Sequence, residues 1–358
     1  MAALGIPLRK FELPPILLLL VTHLLLACSR GDESAMRTWN DKLPGLTMPA
    51  QLAQLVSPFD FDQGAQAFVE DNSLCKSGRF LCEKSQISKL DPCVDRLPYK
   101  RRKLMDLVQD GFVGGCAQRT LPDDLDESAG QLHSNFFRLE EIATVGQKLL
   151  FPDFHENDVS QNVSFLPHKI AQKIPFNSHQ LAFIVQAFSI PSTGSDLLIQ
   201  KMATTLKVCE APPSSIETKT CAISVESVAE FLSTVIGPSK VGVVDGIASS
   251  TRILSNRVVT VMGANLVASS AIKHVACHSM VFPSKVYYCH YVKDTNMYVV
   301  NLKDEKSGVS EKVVAECHMN TKPYPRESLA LIELKIKPGE GEFCHWVPSD
   351  TLLFKEIF

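Results

Sequence analysis

The chain has 358 residues, enough for one large domain or two modest ones, and its 45% hydrophobic content supplies an ordinary globular core. Lys and Arg number 36 against 39 Asp and Glu, a formal charge of −3. That balance gives no basis for nucleic acid or an anionic membrane surface as partner.

Arg9 and Lys10 precede the apolar run LPPILLLLVTHLLLA, which small residues and the polar stretch RGDES follow. This is the layout of a secretory signal peptide, and the run is short for a membrane span. Residues 1–28 are therefore read as a signal removed near Cys28, with no transmembrane anchor expected after cleavage. Secretion decides how the cysteines are read. Of 11 in all, Cys28 leaves with the signal or sits at its edge. Cys75, Cys82, Cys93, Cys116, Cys209, Cys221, Cys277, Cys289, Cys317 and Cys344 are then disulfide candidates rather than thiols. Asn162-Val163-Ser164 is a glycosylation sequon, usable on the same route.

Residues 29–135 form a leader region. It holds the first four of these cysteines, the basic run KRRK at 100–103 and the acidic patch PDDLDES at 122–128. Both charged stretches read as solvated loops, KRRK also as a candidate processing site. A short helix is predicted within MPAQLAQLVSPFDF.

From Phe136 the texture changes. IPFNSHQLAFIVQAF (174–188), GSDLLIQKMATTLKVC (194–209) and SVESVAEFLSTVIG (224–237) are predicted helices. Ser195 and Ser224 stand at N-cap positions, and Gly237-Pro238 ends the third helix. Cys209 and Cys221 flank the loop between the last two helices and predict a local disulfide. Beyond residue 255 the β-branched and aromatic runs RVVTVMGANLVAS, KVYYCHYV, NMYVVNLK, EKVVAECH and LALIELKI predict strands, separated by turn signals. Helices followed by an antiparallel, disulfide-braced, β-rich region make the fold class α+β.

Four of the ten histidines directly follow a cysteine: Cys277-His278, Cys289-His290, Cys317-His318 and Cys344-His345. On a strand, neighbouring side chains point to opposite faces. Four such dipeptides can gather sulfurs on one side, bonded in pairs among themselves, and imidazoles on the other. Four cysteines allow three pairings, and all three stay open. With the sulfurs oxidised, nitrogen donors remain, a set that suits copper, nickel or zinc. No carboxylate stands at an evident ligand spacing from the pairs. His274 reads as an exposed histidine, with an outer-ligand or general-base role as the alternative.

The spacing CH-x10-CH-x26-CH-x25-CH resembles the signature of the plant BURP domain. FFRLEEIATVGQKLLFP, SFLPHKIAQKIPF, CEAPPSSIETKTCAISVESVAEFL, VACHSMVFPSKVYYCH and FCHWVP resemble BURP segments in the same order, so residues 136–358 are read as that domain. The resemblance implies a secreted protein of the apoplast or vacuole that binds copper through His278, His290, His318 and His345. It also implies, as for some members, an oxidative peptide macrocyclase in which those histidines are the catalytic metal site. In fused members the core peptides lie in the leader, commonly repeated. Here the leader offers only Trp39 and Tyr99, unrepeated, so the expected substrate is a separate precursor peptide. That activity calls for an open groove, with Tyr287, Tyr288, Tyr291, Tyr324 and Trp346 as candidate walls. The alternative is a non-catalytic wall, seed or stress protein with a cell-wall component as partner.

Overall fold

A computed structural model describes residues 33–58, 79–81, 135–152, 163–244 and 254–358. Residues 1–28, read above as a signal peptide, and Cys75, Cys82, Cys93, Cys116, Tyr99, KRRK and Asn162 lie outside the described residues.

The helices are α1 (Glu33–Lys42), α2 (Ala50–Ala53), α3 (Leu139–Ala143), α4 (His168–Ala171), α5 (Leu181–Ala187), α6 (Asp196–Glu210), α7 (Val225–Val235) and α8 (Leu329–Glu333). The strands are β1 (Phe136–Phe137), β2 (Lys148–Leu150), β3 (Glu217–Ala222), β4 (Val241–Val243), β5 (Val258–Ala268), β6 (His274–Met280), β7 (Val286–Val292), β8 (Thr295–Asp304), β9 (Ser310–His318), β10 (Phe343–Val347) and β11 (Leu352–Glu356). They form two antiparallel sheets, one of six strands in the order β1-β10-β9-β8-β5-β2 and one of five in the order β3-β7-β6-β11-β4. The fold is therefore α+β and braced by disulfides, as the sequence predicts.

Inward residues of the two sheets meet in one buried cluster, with Ala276 and Leu353 from the five-stranded sheet against Met297, Val299, Val314 and Val347 from the other. Elsewhere the same face of the five-stranded sheet leaves its partner sheet and is covered by α4–α6 instead, through Leu198, Met202 and Leu206 against Val286 and Tyr288. The chain passes from one sheet to the other between β7 and β8 through Lys293 and Asp294, with Asp294 at positive φ (57°). Aspartate tolerates that region better than most residues.

The outer face of the five-stranded sheet carries α1, α2 and α7. Trp39, Leu43 and Leu52 join Val228, Leu232, Val275 and Phe354 there. Trp39 is wholly buried, its indole N–H donates to the Leu46 carbonyl at 2.8 Å, and its ring lies 6.4 Å from Phe354. A leader residue is thus part of the core of the sheet that follows it.

Local signals account for α7. Ser224 Oγ accepts from the Ser227 N–H at 3.2 Å, and Ser227 Oγ accepts from the Ser224 N–H at 3.0 Å, satisfying two donors that a helix start leaves orphaned. Val225, Val228, Ala229 and Leu232 are all buried along one stripe. Ser224→Ala is expected to lower stability by about 1 kcal/mol, read as a lower urea midpoint of the disulfide-intact protein. Ser195 stands at the N-cap of α6 but makes no side-chain cap bond.

Two predictions differ from the structure. The helix predicted over 174–188 forms only from Ser178, as a 3₁₀ turn leading into α5, because Asn177 caps there through the His179 N–H at 2.8 Å. The strand predicted in LALIELKI is α8. Leu329, Ala330 and Leu331 pack beside Tyr324, Phe136 and Phe343, and Leu, Ala and Glu are good helix formers. β9 and β10 pair directly, so the segment joining them crosses outside the ladder.

Candidate metal centre

The four Cys-His dipeptides stand on β6, β7, β9 and β10, two adjacent strands in each sheet. Cys277 lies directly opposite Cys289, and Cys317 opposite Cys344, each pair with Cα atoms 3.9 Å apart. Both pairs are bonded, and Cys209–Cys221 forms the third disulfide among the described residues. Register chooses the pairing that the sequence leaves open. Three disulfides mark a chain that matures in an oxidising, secretory compartment.

The alternation sends each sulfur outward and each ring between the layers. Within a pair the two histidines are then diagonal neighbours, since His278 faces Tyr288 and His290 faces Ala276, while His318 faces Phe343 and His345 faces Glu316. Diagonal positions are within reach of long side chains. His278 Nε2 and His290 Nε2 meet at 3.2 Å, and His318 Nε2 and His345 Nε2 at 3.3 Å. Glu316 joins the two pairs. Its Oε2 is 3.8 Å from His345 Nε2, and donor atoms of His278, His290 and Glu316 all lie within 4.8 Å of one another.

Every Nδ1 is occupied. That of His278 contacts Thr351 Oγ1 at 3.3 Å, that of His290 Glu217 Oε1 at 3.0 Å, that of His318 Thr295 Oγ1 at 2.9 Å, and that of His345 the Trp346 carbonyl at 3.1 Å. Such partners fix ring orientation and leave Nε2 for a metal. Glu217 also accepts from the Tyr288 hydroxyl at 2.5 Å.

The four rings are 1–3% exposed. Burial, reinforced by neighbouring imidazoles, holds His278 and His318 well below the usual imidazole range. Burial also lowers His345, against the upward pull of Glu316. Burial pushes the Glu217 carboxyl up, but the hydrogen bonds from His290 and Tyr288 and the nearby Lys219 outweigh it and bring it below its ordinary value. Burial, reinforced by the same carboxylate, holds the Tyr288 phenol far above its ordinary value, so it stays protonated. Imidazoles with committed Nδ1 atoms, their Nε2 atoms meeting in two pairs that Glu316 joins, fit a late first-row metal ion.

Several expectations change. The groove is closed in this structure. Tyr287 and Tyr291 lie on the outer face under α1, α2 and α7, and Trp346 packs between Phe137 and Phe151 beside the Cys317–Cys344 bond, all away from the imidazoles. Only Tyr288, with its ring centroid 5.1 Å from that of His290, and Tyr324, 5.7 Å from His318, stand at the site. His274 is not exposed: it is 3% accessible, and its Nε2 is 3.7 Å from Glu316 Oε1. Carboxylates are present after all. Glu316 lies two residues before His318 on one strand and so shares its face, a signal readable in AECH. Glu217 arrives from the neighbouring β3 through strand pairing and has no such local signal.

Residues 135–356 match the BURP domain family. The chain is 30% identical over 229 residues to BURP domain protein RD22 of Arabidopsis thaliana, a match covering 63% of this chain and 57% of that protein. It is 32% identical over 216 residues to polygalacturonase-1 non-catalytic subunit beta of Solanum lycopersicum, covering 59% of this chain and 32% of that protein. Against these two it spans just over half and about a third of the relative's length. BURP domain-containing protein 16 of Oryza sativa subsp. japonica is 26% identical over 364 residues, 94% of this chain and 95% of that protein. With four paired Cys-His strands and a family match over most of its length, the chain belongs to the BURP domain family.

Proposed function

We propose that this secreted chain holds copper through His278, His290, His318 and His345, and that it acts in the apoplast or vacuole as a non-catalytic wall, seed or stress protein. The observation that carries the reading is enclosure. Rings no more than 3% exposed, with Tyr288, Phe343 and Tyr324 against them, leave a peptide no approach to the centre as it stands. Held by residues of both pairs, an ion would tie the two sheets together from within, as one disulfide braces each sheet from outside. The likeness to a non-catalytic polygalacturonase subunit supports a cell-wall component or wall enzyme as partner. Protein purified with its disulfides intact and dialysed against Cu(II) is expected to retain the metal and to melt at a higher temperature than the metal-free form. A protein that retains no copper, or whose melting is indifferent to it, rules this reading out.

A second reading is oxidative macrocyclisation of a separate Tyr- or Trp-containing precursor peptide. Four imidazoles beside two phenol rings favour it, and the burial of Trp39 removes one leader side chain from use as an internal substrate. Bound copper supplies one-electron redox chemistry. The imidazoles hold the ion, and the packed rings keep water away. The net reaction removes two hydrogens from the peptide as the new bond forms, with dioxygen as acceptor. Incubation with Cu(II), dioxygen and candidate peptides would reveal that loss by mass spectrometry. Activity that survives alanine replacement of each of the four histidines refutes this site.

A further inference from the structure

The two halves of the centre correspond strand by strand, with one difference that changes the charge. Ala276 faces His290 in one half, and Glu316 faces His345 in the other. Ala276 adds nothing to the electrostatics. Glu316 places a carboxylate between the two pairs of imidazoles while being only 3% exposed. Its closest approaches to imidazole nitrogen are 3.7 Å to His274 and 3.8 Å to His345, both longer than a hydrogen bond. A buried carboxylate held this loosely is costly unless a cation neutralises it. Glu217 differs, because its oxygen is committed to His290 Nδ1 and the Tyr288 hydroxyl, on the far side of the ring.

We propose that Glu316 is an anionic donor that makes this centre select a divalent over a monovalent ion, with His274 as the residue that positions it. The inference rests on the metal reading above. Neutral imidazoles serve Cu(I) and Cu(II) without regard to their difference in charge. A carboxylate attracts in proportion to ionic charge, so its pull doubles from the monovalent to the divalent ion. It is also a harder donor than imidazole, which favours the oxidised ion further. His274 Nδ1 contacts the Ile272 carbonyl at 3.3 Å, which turns Nε2 toward Glu316.

Glu316→Gln keeps the size of the side chain and removes its charge. Affinities for Cu(II), Cu(I) and Zn(II) are measured separately, by competition with chelators of known strength, on protein with intact disulfides. Cu(II) and Zn(II) are expected to weaken by about tenfold or more, and Cu(I) by less than about threefold. Each tenfold change in the Cu(II)/Cu(I) ratio raises the reduction potential of the bound ion by about 59 mV. His274→Ala is expected to weaken Cu(II) by roughly 10-fold, in the range for an orienting partner. Glu316→Asp retains the charge and is expected to restore most of the Cu(II) preference. If Glu316→Gln fails to fold, the His274→Ala and Glu316→Asp pair carries the same comparison. Equal weakening of Cu(I) and Cu(II), or no change in either, overturns the role of Glu316 while leaving the centre standing. A wild-type protein that binds none of the three ions instead removes the centre itself.

Discussion

His318→Ala is expected to reduce copper affinity more than about 100-fold, because loss of even an orienting partner of a metal-bound histidine costs roughly 10–100-fold. Three effects combine at this position. One nitrogen donor disappears, His345 loses the ring whose Nε2 stands 3.3 Å away, and a gap opens beside Tyr324 and Phe343. The fold should persist, since Cys317 still bonds Cys344 on the opposite face of the same strands. Thr295→Val is the graded companion. It removes the oxygen that contacts His318 Nδ1 at 2.9 Å and leaves the donor in place, so a loss near the low end of that range is expected. Chelator competition on both variants measures the difference. Copper binding that survives alanine replacement of each of the four histidines with less than about tenfold change would place the ion elsewhere.

Trp39→Ala is expected to cost about 3–5 kcal/mol, the range for truncating a large buried aromatic residue. The side chain is wholly buried, packs near Phe354 on β11, and ties its own loop through the Leu46 carbonyl. With roughly 2–4 °C per kcal/mol for a domain of about 150–250 residues, the melting midpoint should fall on the order of 10 °C. Metal affinity should change little, because Trp39 packs on the outer face of the sheet while the imidazoles point inward. Thermal melts of metal-free protein test the claim, and an unchanged midpoint would show that α1 is dispensable to the core.

Much of the centre was legible in the dipeptide alone. Strand alternation separates sulfur from imidazole whatever the register, so oxidised cysteines behind a set of nitrogen donors follow from four repeats of Cys-His in β-rich sequence. α7 was equally legible, since a capping serine, an apolar stripe and a terminal Gly-Pro lie within a few residues of one another. The Cys209–Cys221 bond belongs with these, as its partners flank a single short connection between two predicted helices.

The remainder needed contacts between distant residues. Which sulfur meets which was decided by the registers of β6 with β7 and β9 with β10, and no local pattern encodes a register. Glu217, Thr295 and Thr351 reach the rings from other strands or a following loop, so their spacing from the Cys-His pairs carries no information. Closure of the site came from the meeting of the two sheets with α4–α6 and α8, which also turned His274 from a presumed surface residue into a buried neighbour of Glu316. LALIELKI was misread because a short apolar run fits either a strand or a helix, and only its exclusion from the β9–β10 ladder chose the helix. The sequence by itself determined which atoms face the centre, because side-chain direction along a strand is a local property. Tertiary structure alone decided which atoms meet there, because strand pairing and layer packing join residues far apart in the chain.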